Sequence, residues 1–206
     1  MTRIILIRHG RTAWNEGDGE RLRGRSEIEL NEEGVAQARA TSQKLSEWEI
    51  SAVYSSPLRR AMMTAQIIAE PLKLRVEALP ALIDIDYGKW QGLSLSEAAA
   101  DNQALYKLWL NKPDQVRFPG GETLEEVGRR AVGGVESVVS RNPDLTTVLV
   151  SHKVVCQALI CRLMGLDLGH FWNVRQDLCA LNIVEMTDNG PALRLVNDTC
   201  HLRNPA

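Results

Sequence analysis

The chain reads as an α/β protein: a three-layer α/β/α sandwich on a mostly parallel sheet, with an antiparallel strand near the C-terminus. Three observations carry that expectation. Short, wholly apolar runs alternate with longer segments of helical period, the pattern of a sheet covered on both faces. No repeat, low-complexity tract or long linker interrupts the alternation, so residues 1–206 are expected to form one domain. Finally, Asp188-Asn189-Gly190 separates two further apolar runs, and Asn-Gly is the strongest short hairpin signal.

Each element has its own warrant. Residues 4–7 are continuously apolar, as in a strand buried on both faces. Asn31 is a helix cap, and the helix behind it is expected to run to about Trp48, with Val35, Ala38, Leu45 and Trp48 near one face. Residues 52–54 give a second short strand. Ser55-Ser56-Pro57 breaks it, and a helix follows over 58–69. Residues 97–110 are mostly helical, followed by a loop with Pro113, Pro119, Gly120 and Gly121. Thr123 and Glu126 match a capping box, with Leu124, Val127, Ala131 and Val138 as the apolar stripe behind it. Residues 147–150 form a β-branched strand, and 154–164 an apolar helix closed by Gly165. The hairpin strands are 181–186 and 192–196.

Composition narrows the function classes. The 206 residues suit one α/β core. A hydrophobic fraction of 44% and a charged fraction of 24% are ordinary for a soluble protein. A net charge of -2 gives no reason to expect nucleic acid or a membrane as partner. No apolar stretch approaches the roughly 20 residues of a membrane helix. Arg3 and Arg8 leave too short an apolar run for a signal-peptide core. Cys156, Cys161, Cys179 and Cys200 form no CxxC pair and read as reduced thiols of a cytoplasmic protein.

In a parallel α/β sheet, ligands bind beyond the carboxyl ends of the strands, and there the unusual residues collect. The first strand ends in Arg8-His9-Gly10. The second leads to Arg59 and Arg60 in a first helical turn. The strand at 147–150 ends in Ser151-His152. Taken singly, a histidine at a strand end is more often structural, and an arginine at a helix start is usually solvated. Together on one rim they suit a phosphate, which offsets the dipole penalty of a cation at a helix N-terminus. A neutral histidine can attack phosphorus and hold the phosphoryl group covalently. Arginine forks match the equatorial oxygens, and a second histidine adds a hydrogen bond. A carboxylic acid must protonate the leaving oxygen. Asp84 is the candidate. Asp84 and Asp86 alternate with Ile83 and Ile85, which places both carboxylates on one side if the segment is extended; the alternative is a turn before Gly88.

Arg21-Leu22-Arg23-Gly24-Arg25, if extended, puts three arginines on one face. The first 25 residues carry six arginines against three acids. This basic patch suggests an anionic substrate; the alternative is a solvated strip. Tyr87 and Trp90 are candidates for the substrate mouth. Trp48, Trp109 and Trp172 read as packing anchors, His201 as structural and His170 as surface. There is no H-x-x-x-H, no His-Cys cluster and no G-x-x-x-x-G-K, so no metal, cofactor or P-loop chemistry is expected.

In order along nearly the whole chain, Leu6-Ile7-Arg8-His9-Gly10-Arg11-Thr12, Trp14-Asn15, Leu22-Arg23-Gly24, Leu30-Asn31-Glu32-Glu33-Gly34, Tyr54-Ser55-Ser56-Pro57-Leu58-Arg59-Arg60-Ala61, Pro119-Gly120-Gly121-Glu122 and Ser151-His152 resemble the histidine phosphatase, or phosphoglycerate-mutase-like, superfamily. The resemblance implies that His9 is the phosphorylated nucleophile. It implies that Arg8, Arg60 and His152 form the phosphate pocket, with a hydrogen bond added by Asn15, and that Arg23 and Gly24 contact phosphate or substrate. Arg60 is chosen over Arg59 because it directly precedes Ala61. Asp84 stands where the family's proton donor is usually glutamate. Within the family the chain is most similar to the metal-independent phosphoserine phosphatases, through Ile85-Asp86-Tyr87-Gly88, the loop at 118–122 and the tail at 197–202; phosphoserine-selective members favour histidine where this chain has Tyr87. The implied function is hydrolysis of small phosphomonoesters, phosphoserine among them, through a phosphohistidine. The alternatives are a phosphoglycerate mutase, disfavoured because 112–122 is too short for a basic insertion, and a weakly active phosphate-binding regulator. The implied partner is a small phosphorylated metabolite, and a homodimer is the default assembly.

Overall fold

The computed structural model describes residues 1–15 and 21–203. Six strands form one sheet, β1 Thr2–Arg8, β2 Ala52–Ser55, β3 Val76–Ala78, β4 Thr146–Ser151, β5 Leu181–Thr187 and β6 Gly190–Asp198, in the order β3-β2-β4-β1-β5-β6. The β3, β2, β4 and β1 neighbours run parallel; β5 is antiparallel to β1 and to β6. The reversed strand is therefore one in from the edge, and β6 holds the edge itself.

Alternation along the strands builds the layers. Ile4, Leu6, Tyr54 and Leu149 enter one core with residues of α5 Leu124–Arg141 and α6 Lys153–Leu163. Ile5, Ile7, Val53, Val148 and Val150 enter the other, with residues of α1 Glu32–Leu45 and α2 Arg59–Ala69. The Asn31 cap and the Thr123–Glu126 capping box both form as expected. Among the described residues no helix is long and apolar enough to cross a membrane. All four cysteines are free thiols, three of them buried.

The differences from the sequence reading have local causes. The first helix ends at Leu45, and Trp48 lies beyond it under the Arg3 guanidinium. β3 has only three residues, too few to show a period. The helical stretch before the proline loop is two helices, α3 Leu95–Asp101 and α4 Gln103–Asn111; Asn102 adopts an extended conformation and caps the second by accepting from the Leu105 amide. The arginine run does not share a face. Gly24 turns at φ +47, so Arg25 leaves the line and pairs with Asp86 and Glu122. The three acids in the count over the first 25 residues, Glu16, Asp18 and Glu20, lie outside the described residues.

Asp84 and Asp86 do not share a side either. The segment at 83–87 is neither helix nor strand. Asp84 turns inward to Arg60, whereas Asp86 accepts from the Gly88 amide and pairs with Arg25. Gly88, at φ +54, lies so close to the 119–121 backbone that a Cβ there would fall 2.2 Å from the Pro119 carbonyl oxygen. The proline-glycine loop thus clamps the segment bearing Asp84. Arg130 completes the clamp, donating to the Ala81 and Asp84 carbonyls and to Glu122.

Candidate active site

Strand register assembles the site. Arg8 pairs with Ser151 across β1 and β4, and Ser55 pairs with Val150 across β2 and β4. One residue further on, the His9 amide donates to the Ser151 carbonyl and the Ser56 amide to the Val150 carbonyl, each at 2.9 Å. His9, Ser56 and His152 are therefore neighbours at the carboxyl end of the sheet, and the two imidazole centroids lie 5.2 Å apart.

His9 is buried. Its Nδ1 sits 2.7 Å from the Gly10 carbonyl oxygen. A carbonyl only accepts, so the neutral ring carries its proton on Nδ1 and leaves the Nε2 lone pair available. Burial, then Arg60, Arg8 and Arg23, hold the ring well below the ordinary imidazole value of 6.5. The Gly10 amide donates to Thr64 Oγ1, which donates to the Arg60 carbonyl, tying the histidine loop to α2.

Arg60 is fully buried in the first turn of α2. It donates to the Ser26 and Gly24 carbonyls at 2.8 and 2.7 Å and to Asp84 Oδ2 at 3.0 Å. Its Nε–H has no protein partner. His152 faces the Ser56 hydroxyl through Nε2 at 2.7 Å; with that hydroxyl donating, the ring proton stays on Nδ1. Nδ1 is also buried without a hydrogen-bond partner, 3.6 Å from Asp84 Oδ2. Burial is the main cause of the low pKa of His152, and Arg60 adds to it. Two buried donors without acceptors are costly, by about 1–3 kcal/mol each, unless an anion supplies the missing oxygens.

Asp84 accepts from the Ile85 amide at 2.9 Å as well as from Arg60. Burial pushes its carboxyl above the ordinary aspartate value of 3.8, against the opposing pull of Arg60.

A cavity of about 230 Å³ opens at these groups, lined by His9, Asp84, Arg21, Arg23 and Tyr87 among others. Arg60 and His152 stand behind it. Arg23 donates to the Trp14 carbonyl, and Arg21 to the Gly92 carbonyl and Glu97. Gly24 supplies its carbonyl to Arg60. Arg8 and Asn15 are placed differently: both line a separate depression of about 420 Å³ beside Arg11 and Asp177. Arg8 donates to the Gln176 carbonyl, and the Asn15 amide oxygen accepts from the Thr12 amide and hydroxyl.

The far wall of the cavity is carbon-rich and escaped the sequence reading. Trp109 and Trp172 do pack, and they also line the cavity, together with Tyr106, Leu95, Leu110 and Lys153. Trp90 does not reach the mouth; it is fully buried and donates to Asp101. Lys153, a cation directly after His152, was the one local signal of this wall. His201 is structural, bonded to Thr41 Oγ1 at 3.1 Å, and His170 is exposed. Among the described residues no three His, Cys, Asp or Glu side chains cluster as metal ligands would.

Two buried histidines at strand ends, a buried arginine and a buried carboxyl group thus meet at one cavity of an α/β fold. The comparisons give the family. The model of the histidine phosphatase superfamily (branch 1) matches residues 4–199, and the chain belongs to that superfamily. Phosphoserine phosphatase 1 of Hydrogenobacter thermophilus is 36% identical over 202 residues, covering 98% of this chain and 95% of its own. A probable phosphoglycerate mutase of Yersinia pestis is 29% identical over 211 residues, covering 100% and 97%. Among solved structures, YhfR of Bacillus stearothermophilus superposes with a TM-score of 0.94 at 26% identity, covering 98% of this chain and 100% of that one. A phosphoserine phosphatase variant of Entamoeba histolytica in complex with phosphoserine gives 0.88 at 28%, with the same coverage.

Proposed function

We propose that the chain is a phosphatase that hydrolyses small phosphomonoesters through a phosphohistidine at His9, without a metal ion. The observation that carries this reading is the pair of partnerless buried donors, Arg60 Nε–H and His152 Nδ1, beside a histidine whose Nε2 is bare. A phosphoryl group at that point satisfies both donors. His9 Nε2 attacks phosphorus while the ester P–O bond breaks. Asp84 gives its proton to the leaving oxygen. Water then attacks phosphorus, Asp84 takes up the water's proton, and the N–P bond breaks to release phosphate and neutral His9. The guanidinium groups of Arg60 and Arg23 supply the charge compensation that a divalent ion supplies elsewhere. Arg8, buried nearby, lowers the His9 pKa and serves the same field.

The phosphoserine phosphatases among the relatives nominate phosphoserine as one compound to test. A cytoplasmic location belongs to the same reading, supported by the buried free thiols, as does a homodimer.

The test is phosphate release from phosphoserine, 3-phosphoglycerate, sugar phosphates and an aryl phosphate, in excess chelator, with His9→Ala alongside. Release by the wild type alone is expected, undiminished by chelator. Normal turnover by His9→Ala would reject the reading.

A further inference from the structure

The carboxyl of Asp84 is held inside the site, but its backbone is held from outside it. The segment at 83–87 is neither helix nor strand, so no ladder or helical turn fixes it. An aspartate side chain is short, so the backbone decides how far its carboxyl reaches. Two residues outside the cavity lining take hold of that backbone, Arg130 of α5 and Glu122. Arg130 Nη1 donates to the Ala81 carbonyl at 2.8 Å, and Nη2 to the Asp84 carbonyl at 3.2 Å. Its Nε and Nη2 also meet Glu122 as a fork, at 2.9 and 3.1 Å. Glu122 grips the other side: Oε2 accepts from the Asp86 amide at 3.0 Å, and its own amide donates to the Asp86 carbonyl at 2.9 Å. One ion pair therefore bounds Asp84 before and after. Its side chains are only 20% and 18% exposed, and a forked, sheltered pair holds its geometry better than a surface one.

Resting on the phosphatase reading, we propose that Arg130 is the positioning residue of the acid: with Glu122 it sets how far Asp84 reaches toward the leaving oxygen. The guanidinium fork does this, since one plane must serve two carbonyls and a carboxylate together. The charge of Arg130 has a separate effect. After burial, Arg60, His9 and Arg23, it adds to the lowering of the His152 pKa.

Benzyl and 4-nitrophenyl phosphate separate these roles. They are similar in size, but only the benzyl alcohol needs a proton as it leaves, and kcat/KM reports that step before water enters. In Asp84→Asn the nitrophenyl-to-benzyl ratio of kcat/KM should rise at least about tenfold. Arg130→Met should raise the same ratio by about five- to tenfold, and Arg130→Lys, which keeps the charge and loses the fork, by about threefold or more. In the Asp84→Asn background neither substitution should raise it further. Each ratio is taken within one protein, so a general loss of activity does not move it, and if Arg130→Met does not fold, Arg130→Lys carries the test. A ratio that stays within about twofold of the wild type in the folded Arg130 variants, or a rise that persists beside Asp84→Asn, overturns the inference. An unchanged ratio in Asp84→Asn itself, or wild-type release of phosphate from neither ester, would instead count against the phosphatase reading and take the inference with it.

Discussion

The two ends of the cavity are built by different parts of the chain. At the phosphoryl end, His9, Ser56 and His152 each follow a buried strand. Hydrogen bonds from the ends of the ladder fix their spacing, and the Ser151, Val150 and Gly10 carbonyls and the Ser56 hydroxyl are committed. At the other end, Leu95, Leu110, Trp109 and Trp172 come from two short helices and the 3-10 segment Leu168–Asn173. Their contacts are apolar and edge to face. Charge exchange requires positions held to fractions of an ångström, which a sheet provides. Recognition of a leaving group requires only shape and carbon, which side chains on helices and turns provide and can change. On the proposed reading, catalysis and selectivity are separable in this molecule, and substitutions at each end should fail differently.

The largest effects belong to the strand end. Arg60→Met should lower kcat by about 10²–10³. It also leaves Asp84 buried without its cation, so stability should fall by about 3–5 kcal/mol. Pairing it with Asp84→Asn should restore much of the stability and none of the activity. Denaturant unfolding beside turnover measures both, and equal stability of the single and double variants would contradict the ion-pair account. Asp84→Asn alone should cost about 10² in kcat for an alkyl phosphate and much less for an aryl phosphate, whose leaving group needs little protonation. Equal losses on the two would remove Asp84 from the role of acid.

The pH profile sharpens the same contrast. His9 must be neutral to attack, and its pKa lies well below 6.5 through burial and the arginines. The acid limb of kcat/KM should therefore lie below 6.5, with activity lost as pH falls through the lowered value. Asp84 must be protonated to donate, and burial raises it above 3.8; activity is lost as pH rises through that raised value. Asp84→Asn should remove the alkaline limb and leave the acid one in place. At the helical end, Leu110→Ser should shift the profile not at all and change stability by no more than about 0.5 kcal/mol, since the side chain is half exposed. A profile that moved would show that the ends are coupled.

The same division explains what was legible in the sequence. Residues 4–7 and 147–150 announce buried strands by being continuously apolar, and a residue just past such a strand has its place dictated by register. His9 and His152 could be located that way, and Arg60 by the helix start after Ser55-Ser56-Pro57; the family resemblance then implied their roles. Asp84 was legible as a carboxyl group, but its partner was not. Its inward turn depends on Gly88 meeting the Pro119 backbone, a contact between segments 31 residues apart (119 − 88). The turn at Gly24 separated Arg25 from Arg21 and Arg23 through one left-handed residue. The aromatic wall was the least legible part, with Lys153 its one local signal. Trp109 and Trp172 read as ordinary packing, because nothing local says that α4 and the segment at 168–173 meet over a cavity.

Phosphatase chemistry at His9 requires a covalent intermediate. Wild-type protein mixed with ³²P-labelled phosphomonoester and quenched within one turnover should carry acid-labile, alkali-stable phosphate on His9. The label should vanish on a chase with unlabelled substrate and be absent from His9→Ala. Steady turnover with no protein-bound phosphate at any quench time, or a label that persists in His9→Ala, would contradict it.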